Sequence, residues 1–341
     1  MSTNNSSCAS LDTIIRLESF NLIFSQLVDL LASFITFFAT FFAVRVVLTQ
    51  SIFKLSTKIL LFQNLFYANL HQISYGIEAI GLLYRSFFMI GLLYRSFFMM
   101  DRPCNLLQSD AHCAPYLEVL MIGISGMIYG QTGLLIERAF ATFSTYYELK
   151  KSLIIGSTIS FIVFICSIST GRLLLWDDPL NGYVTGCFSF PKNSATRSNV
   201  YFIVCTVLTL FNLIISIWIM QYNKRCEYET RFKVGARFQK REVIESTGAI
   251  CFLTLSQFIL MFFYSFGIFL LKTIREMITA QTFYFWIVWC YTMPIIALML
   301  PLLLIYLIRK SRLKRALKII GITNKKQTQE DHITEMKSMW T

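Results

Sequence analysis

Long apolar stretches, each the length of a membrane-spanning helix, recur along the whole chain and limit what it can fold into. A spanning helix needs about 20 mostly apolar residues, because each residue rises ~1.5 Å and the hydrocarbon core of a bilayer is ~30 Å thick. We therefore predict an all-α membrane protein, a bundle of seven transmembrane helices. The predicted spans are residues 22–44, 58–82, 116–137, 153–175, 200–220, 247–271 and 282–307.

Composition excludes an ordinary soluble domain. Of the 341 residues, 55% are hydrophobic and 15% are charged, whereas a soluble domain carries about 25% charged residues. The spans are flanked by an N-terminal segment, 1–21, and by two C-terminal segments, 308–320 and 321–341. In RKSRLKRALKII the apolar residues share one helical face, so 308–320 is predicted to be an amphipathic juxtamembrane helix, followed by a polar cytoplasmic tail.

The basic residues indicate an orientation, not a nucleic-acid partner. The net charge is +12, but Lys and Arg flank the apolar stretches and form no separate basic domain. With the N-terminus outside the cell, 22 of the 31 lie on the cytoplasmic side, eight lie outside and one, Arg172, lies within a span. This is the distribution that the positive-inside rule requires. Asn4 and Asn5, each in an Asn-x-Ser acceptor, are predicted glycosylation sites on the outer side.

Cysteines on the predicted outer side can form disulfides, because that side is oxidising. Cys113 lies at the outer end of the third span and Cys187 in the loop after the fourth. A bond between them would hold that loop over the bundle. Cys8 and Cys104 are available for a second pair.

The second span is less regular, because it runs into a tandem repeat. Residues 81–90 read GLLYRSFFMI and residues 91–100 read GLLYRSFFMM. Successive copies are rotated by about 80° on a helix, so they cannot share one lipid-facing stripe. Either one copy extends the helix or loop beyond the membrane, or the repeat is an error in the sequence. The number of spans is the same in both cases.

A charged pair, Glu137-Arg138, ends the third span. Charges at this depth must be paired or wetted. One interpretation is a charge pair at the membrane border. The other is a receptor switch, in which Glu137 holds Arg138 at rest and releases it to contact a G protein. The central position of a third helix in a seven-helix receptor favours the second.

Several ionisable and aromatic residues in the outer halves of the spans could line a pocket for a small molecule. The alternatives are a wetted rim for the charges and a lipid-facing position for the aromatic residues. The candidates are Asp29, Glu78, Glu118, Arg172, Tyr264 and Trp289.

No motif predicts an enzyme. The chain has no P-loop, GxSxG, HExxH or Gly-rich dinucleotide loop. It also has no CxxC pair or Cys/His spacing that suggests a metal. We expect no catalytic activity, cofactor or metal.

Several segments resemble the nematode serpentine receptor class alpha chemoreceptors, and the related class AB receptors share much of this pattern. The similar segments are Cys8, DRPCNLLQSDAHC, GLLIERAFATFSTYYE, ARFQKREVIESTGAI and YTMPIIALMLPLL. The resemblance implies a chemosensory receptor that binds an unknown small molecule and couples to a heterotrimeric G protein. It implies a location in the plasma membrane of sensory neurons and their cilia. The residues expected to serve coupling are Glu137, Arg138, Arg241 and Glu242.

The main alternative function is a seven-helix ligand-gated channel or a transporter. Insect-type receptor channels place the N-terminus in the cytoplasm, opposite to the orientation that the charges predict. Transporters often contain repeats of several helices, whereas this chain repeats only ten residues. Both features favour the receptor.

Overall fold

The main elements of the described chain are eight α-helices and one two-stranded antiparallel sheet. The computed structural model describes residues 19–50, 53–95, 107–143, 149–184, 186–187, 190–191, 194–229, 234–323, 333–334 and 337–338. The helices are α1 (Phe20–Gln50), α2 (Leu55–Arg95), α3 (Asp110–Phe143), α4 (Leu149–Leu175), α5 (Ser194–Glu229), α6 (Val234–Thr273), α7 (Ala280–Cys290) and α8 (Met293–Thr323). The strands are β1 (Gln108–Ser109) and β2 (Tyr183–Val184).

The helices form seven membrane-spanning units, because α7 and α8 together make one. By length and composition, six helical segments of the described chain can cross a bilayer: Phe20–Thr49, Asp110–Phe143, Lys151–Leu175, Ser194–Glu227, Val243–Thr273 and Gln281–Leu317. The remaining unit, second in chain order, is α2, which is 41 residues long. The predicted all-α bundle is confirmed.

α2 is not among those six apolar segments, and several of its polar side chains face inward. Asn64, His71 and Gln72 are fully buried. Gln72 Nε2 donates to the Pro294 carbonyl oxygen over 2.8 Å and so joins α2 to α8. The helix continues through the first copy of the repeat and half of the second, to Arg95. At ~1.5 Å per residue it is about 60 Å long, twice the thickness of the hydrocarbon core.

α3 lies in the centre of the bundle, and a row of glycines lets α2 pack closely against it. A Cβ atom added at Gly126 would lie 2.3 Å from the ring of Tyr67, and one at Gly130 would lie 2.3 Å from Asn64 Oδ1. The Gly126–Gly130 spacing is the GxxxG pattern that brings membrane helices together. In this chain it serves packing within the bundle.

The two strands and a disulfide anchor the connection between α4 and α5 at the start of α3. Gln108 pairs with Val184 in the sheet. Cys113 and Cys187 are joined by a disulfide with an S–S distance of 2.02 Å. The connection is therefore held to the first turns of α3 both by backbone hydrogen bonds and covalently.

The seventh spanning unit is broken between α7 and α8. Tyr291 and Thr292 are not helical, and Pro294, the second residue of α8, has no N–H to continue the hydrogen bonds of α7. α8 then runs unbroken to Thr323, so the segment 308–320 continues the helix that crosses the membrane. No glycine or proline lies between Pro301 and Gly321. The sequence therefore has no helix breaker between the spanning part of α8 and the segment 308–320.

Candidate functional site

Glu137 and Arg138 lie inside the bundle, near the C-terminal end of α3. The side chain of Glu137 is 0% exposed and that of Arg138 is 2% exposed. Cys113 is 25 residues earlier on the same helix, about 38 Å away along its axis. We refer to the end of the bundle with the Cys113–Cys187 bond as the disulfide end, and to the opposite end as the Arg138 end.

The two side chains form a bidentate salt bridge. Arg138 Nε lies 2.6 Å from Glu137 Oε2, and Nη2 lies 2.7 Å from Oε1. Consecutive residues on a helix point about 100° apart, so both side chains must bend toward each other. A buried ion pair is stable only when its remaining hydrogen-bonding positions are also occupied.

Hydroxyl groups from neighbouring helices occupy those positions. Arg138 Nη1 donates to Ser246 Oγ over 2.7 Å, and Nη2 donates to Thr57 Oγ1. Ser56 Oγ donates to Glu137 Oε1 over 2.6 Å. Ser152 Oγ in turn donates to Ser56 Oγ over 2.8 Å. We call this set the Arg138 cluster: Ser56, Thr57, Glu137, Arg138, Ser152 and Ser246.

The first turn of α2 supplies two of the hydroxyl groups in this cluster. The helix begins at Leu55, so Ser56 and Thr57 lie in its first turn, where the positive end of the helix dipole favours the Glu137 carboxylate. On α4, Gly156 lets Ser56 come close, because a Cβ atom there would lie 2.8 Å from Ser56 Cα. Four helices, α2, α3, α4 and α6, therefore meet at the Arg138 cluster.

Two further ion pairs, both partly exposed to solvent, hold α6 at this end. Arg241 Nε lies 2.6 Å from Glu227 Oε1 on α5, and Arg315 Nη2 lies 2.7 Å from Glu245 Oε2. These side chains are between 25% and 43% exposed, so each pair contributes only about 0–1 kcal/mol. The side chain of Glu242 lies outside the described residues. α6 is thus held by several weak contacts that can be exchanged.

A buried polar cluster lies where α1 and α2 meet the break between α7 and α8. Tyr75 Oη donates to Asp29 Oδ2 over 3.0 Å, and Gln26 Nε2 donates to Tyr75 Oη over 3.2 Å. His71 Nε2 is 3.3 Å from Tyr291 Oη. The rings of Tyr75 and Tyr291 stack with their centroids 5.2 Å apart. We call Gln26, Asp29, His71, Tyr75 and Tyr291 the Tyr75 cluster.

Of the six predicted pocket residues, the structure brings two to the Tyr75 cluster. Asp29 belongs to the cluster, and the buried ring of Tyr264 packs edge-on against Tyr291 at 5.9 Å. Glu78 is buried beside the disulfide instead, where it accepts a hydrogen bond from the Cys187 N–H over 3.2 Å.

The other three lie apart from this cluster. Glu118 is half-buried against α4, where its carbonyl oxygen would be 3.0 Å from a Cβ atom at Gly171. Arg172 is exposed. Trp289 is 40% exposed, and its Nε1 donates to Asn21 Oδ1 over 2.9 Å, which joins α7 to α1.

Sequence reasoning did not single out His71 or Tyr75 as site residues. A signal existed for both, because they are polar residues four apart within a span and so share one helix face. The serines and threonine of the Arg138 cluster gave none, because such residues are common in membrane helices.

Four of the predicted disulfide and glycosylation residues lie outside the described residues: Cys8, Cys104, Asn4 and Asn5. Within the described ranges, no group of three or more His, Cys, Asp or Glu side chains could hold a metal ion.

A seven-unit helical bundle, with a disulfide-anchored loop at one end and a buried Glu–Arg pair at the other, has the architecture of a GPCR-like seven-transmembrane receptor. Comparison with known proteins identifies the group within that class. The family model "Serpentine type 7TM GPCR chemoreceptor Sra" matches residues 3–340. The chain belongs to this serpentine receptor class alpha family and is a multi-pass membrane protein.

Relatives in Caenorhabditis elegans match the chain over nearly its full length. Serpentine receptor class alpha-6 is 63% identical over 338 residues, which cover 99% of this chain and 100% of the relative. Serpentine receptor class alpha-2 is 54% identical over 337 residues, 99% of each chain. Serpentine receptor class alpha-8 is 51% identical over 336 residues, 98% of this chain and 99% of the relative.

Proposed function

We propose that this protein detects a small molecule at its disulfide end and signals to a heterotrimeric G protein at its Arg138 end. The disulfide end then faces outward and the Arg138 end faces the cytoplasm, in the plasma membrane of sensory neurons and their cilia. The observation that carries the proposal is the buried Glu137–Arg138 pair, in which Arg138 also donates a hydrogen bond to the Ser246 hydroxyl of α6. Membership in a chemoreceptor family and the excess of basic residues at this end support it.

The proposed switch is the contact between Arg138 and Ser246. A hydrogen bond to a charged group contributes about 1.5–3 kcal/mol, which a bound ligand can supply as a difference in affinity between two states. Movement of α6 away from α3 breaks this bond and opens Arg138 toward the cytoplasm. Arg241, at the start of α6, then loses Glu227 and can contact the G protein, as we also propose for Glu242.

The proposed ligand site is the region of the Tyr75 cluster, with Asp29 and Tyr264 as contacts. Glu78, Glu118, Arg172 and Trp289 lie apart from this cluster, so we do not assign them to the site. The break between α7 and α8 provides a mechanical path to α6, because Thr292 Oγ1 donates to the Leu260 carbonyl oxygen over 2.9 Å. A ligand that separates Tyr75 from Tyr291 would shift the break and, through Thr292, α6.

The test does not require the ligand. The receptor is expressed with a G protein, and nucleotide exchange is measured in membranes without agonist. Ser246→Ala should raise basal exchange by about tenfold, because the resting state loses one charged hydrogen bond. Arg138→Ala should abolish exchange, both alone and combined with Ser246→Ala.

Ser256→Ala is the matched control. Ser256 is also on α6, but its hydroxyl donates to the Phe252 carbonyl oxygen of its own helix. Equal basal exchange in Ser246→Ala and Ser256→Ala would contradict the switch. An N-terminal tag that antibodies reach only after permeabilisation would contradict the orientation and favour the channel or transporter.

A further inference from the structure

A cavity of about 200 Å³ opens between α6 and α8 at the Arg138 end. We call it the α6–α8 cavity. Its apolar walls are Phe53, Ala249, Leu307 and Ile308, and its polar lining includes Lys310 and Lys314. The cavity therefore has an apolar interior and two cationic side chains on one helix.

The cavity has excess positive charge. Glu245 also lines it, but its Oε2 already accepts hydrogen bonds from Ser311 Oγ at 3.0 Å and from Arg315 Nε and Nη2 at 2.9 and 2.7 Å. Arg315 thus compensates this carboxylate. Lys310 and Lys314 are exposed and form no ion pair with any residue that the structure describes.

The two lysines are spaced to share one anion. They are four residues apart, so they lie on the same helix face, where like charges repel each other. Lys310 Nζ lies 5.4 Å from the centroid of the Tyr306 ring, a weak contact that does not neutralise it. From Arg309 to Lys318 the helix has six basic residues and no acidic one. An anion between the two ammonium groups would relieve this repulsion.

We propose that the α6–α8 cavity binds one anionic phospholipid, with its phosphate between Lys310 and Lys314 and an acyl chain along the apolar walls. The apolar walls favour a lipid over a soluble anion, because a free phosphate would leave them in contact with water. Basic residues next to a membrane span attract anionic lipids. The cavity adds a defined position to that general attraction. Lipid binding in this cavity is a function in addition to the proposed signalling. It requires neither the proposed ligand nor the proposed G protein.

The experiment counts the lipids that stay bound to the full-length receptor. The protein is reconstituted in nanodiscs of phosphatidylcholine with a minor fraction of phosphatidylglycerol, and retained lipids are measured by native mass spectrometry. Both faces of a nanodisc contain the anionic lipid, so the result does not depend on the proposed orientation. Wild-type protein should retain one phosphatidylglycerol in preference to phosphatidylcholine.

Two double variants remove the same charge from the same helix. Lys310→Gln with Lys314→Gln should weaken retention by about tenfold or more. Arg309→Gln with Arg312→Gln, at exposed positions outside the cavity lining, should change it by less than about twofold. Equal losses in the two double variants would overturn the proposal, because attraction by the whole basic helix would then explain the binding.

A third variant tests the walls while keeping every charge. Ala249→Phe fills the cavity and should remove the retained lipid while the lysines remain. Unchanged retention in this variant would overturn the proposed position of the chain. Displacement by glycerol phosphate, which has no acyl chains, would show a soluble-anion site and would also overturn the lipid assignment. Equal retention of phosphatidylcholine and phosphatidylglycerol would do the same.

Discussion

The two ends of the bundle are held together by different chemistry. At the disulfide end, a covalent bond and a two-stranded sheet attach the α4–α5 connection to α3. At the Arg138 end, the polar contacts of α6 among the described residues include two hydroxyl hydrogen bonds and two exposed ion pairs. Both ends share α3, which runs between them. The disulfide end resists separation of its parts, whereas the contacts of α6 can be broken and remade at low cost.

This difference indicates at which end a movement costs less free energy. A disulfide cannot be exchanged during a conformational change, but a Ser–Arg hydrogen bond can be replaced by water or by a partner protein. The buried Glu137–Arg138 pair is different again, because its charges must keep partners in every state. We therefore expect α6 to move around a fixed Glu137–Arg138 pair.

The largest effect is expected from Glu137→Ala. It leaves the Arg138 guanidinium buried without its carboxylate, at a cost of about 3–5 kcal/mol in the free energy of unfolding. Glu227→Ala breaks the exposed pair with Arg241 and should cost about 0–1 kcal/mol. Thermal unfolding of the purified protein, followed by tryptophan fluorescence, compares the two. Similar losses in both variants would contradict the distinction between the buried pair and the exposed contacts.

The next effect concerns the disulfide end. Cys113→Ser combined with Cys187→Ser should lower the free energy of unfolding by about 2–4 kcal/mol, and a reducing agent should do the same to the wild-type protein. Cys166→Ser, at an exposed free cysteine, is the control and should change little.

Combining the two changes tests whether the ends are independent. Sites more than about 10 Å apart with no shared partner have additive effects on stability. A protein with Glu137→Ala and both cysteine substitutions should therefore lose the sum of the separate losses. A clear departure from additivity would mean that α3 couples the two ends.

The glycines in the middle of α3 determine how closely α2 can pack against it. Gly126→Ala places a methyl group 2.3 Å from the ring of Tyr67, which is fully buried and cannot swing away. The expected loss of stability is about 1–3 kcal/mol. At Gly76 the nearest atom to an added Cβ is Ser33 Oγ at 3.9 Å, so Gly76→Ala should be neutral or stabilise by up to about 1 kcal/mol. Equal effects at both glycines would show that α2 and α3 have room to separate.

The Arg138 end was predictable in part, because charge inside an apolar stretch is visible in the sequence. Glu137 and Arg138 could be singled out on that ground alone. Their partners could not, since Ser56 and Ser246 are 81 and 108 residues away from the residues they contact. Only the packing of α2 and α6 against α3 selects these serines from the others in the chain.

The seventh unit shows the same limit. Its two prolines, Pro294 and Pro301, are both visible in the sequence, and either could interrupt the helix. The structure breaks the helix next to Pro294 and continues it through Pro301. The difference follows from tertiary contacts, because Thr292 and the Pro294 carbonyl oxygen are hydrogen-bonded to α6 and α2. Such contacts are not written in the local sequence.

The smallest expected effect is a pH dependence at the disulfide end, carried by Asp110, which precedes the predicted span 116–137. Its carboxyl group is buried at the start of α3, and burial raises its pKa; the Gly182 N–H acts in the opposite direction, and the charge of Asp178 raises the pKa further. A carboxyl group with a raised pKa binds more protons in the folded state than in the unfolded state. The free energy of unfolding therefore falls as pH rises from the ordinary pKa of Asp through the raised one.

Asp110→Asn should remove this dependence, because the amide keeps an oxygen that can accept from Gly182 but carries no charge. At neutral pH the variant should unfold at a slightly higher temperature than wild type, and at low pH the two should coincide. Thermal unfolding between about pH 3 and pH 8 brackets the ordinary Asp pKa and higher values. The Arg138 end has no part in this effect, so Glu137→Ala should shift the whole stability curve of both proteins without changing the difference between them. A pH slope that survives Asp110→Asn would assign the dependence to another group and contradict this prediction.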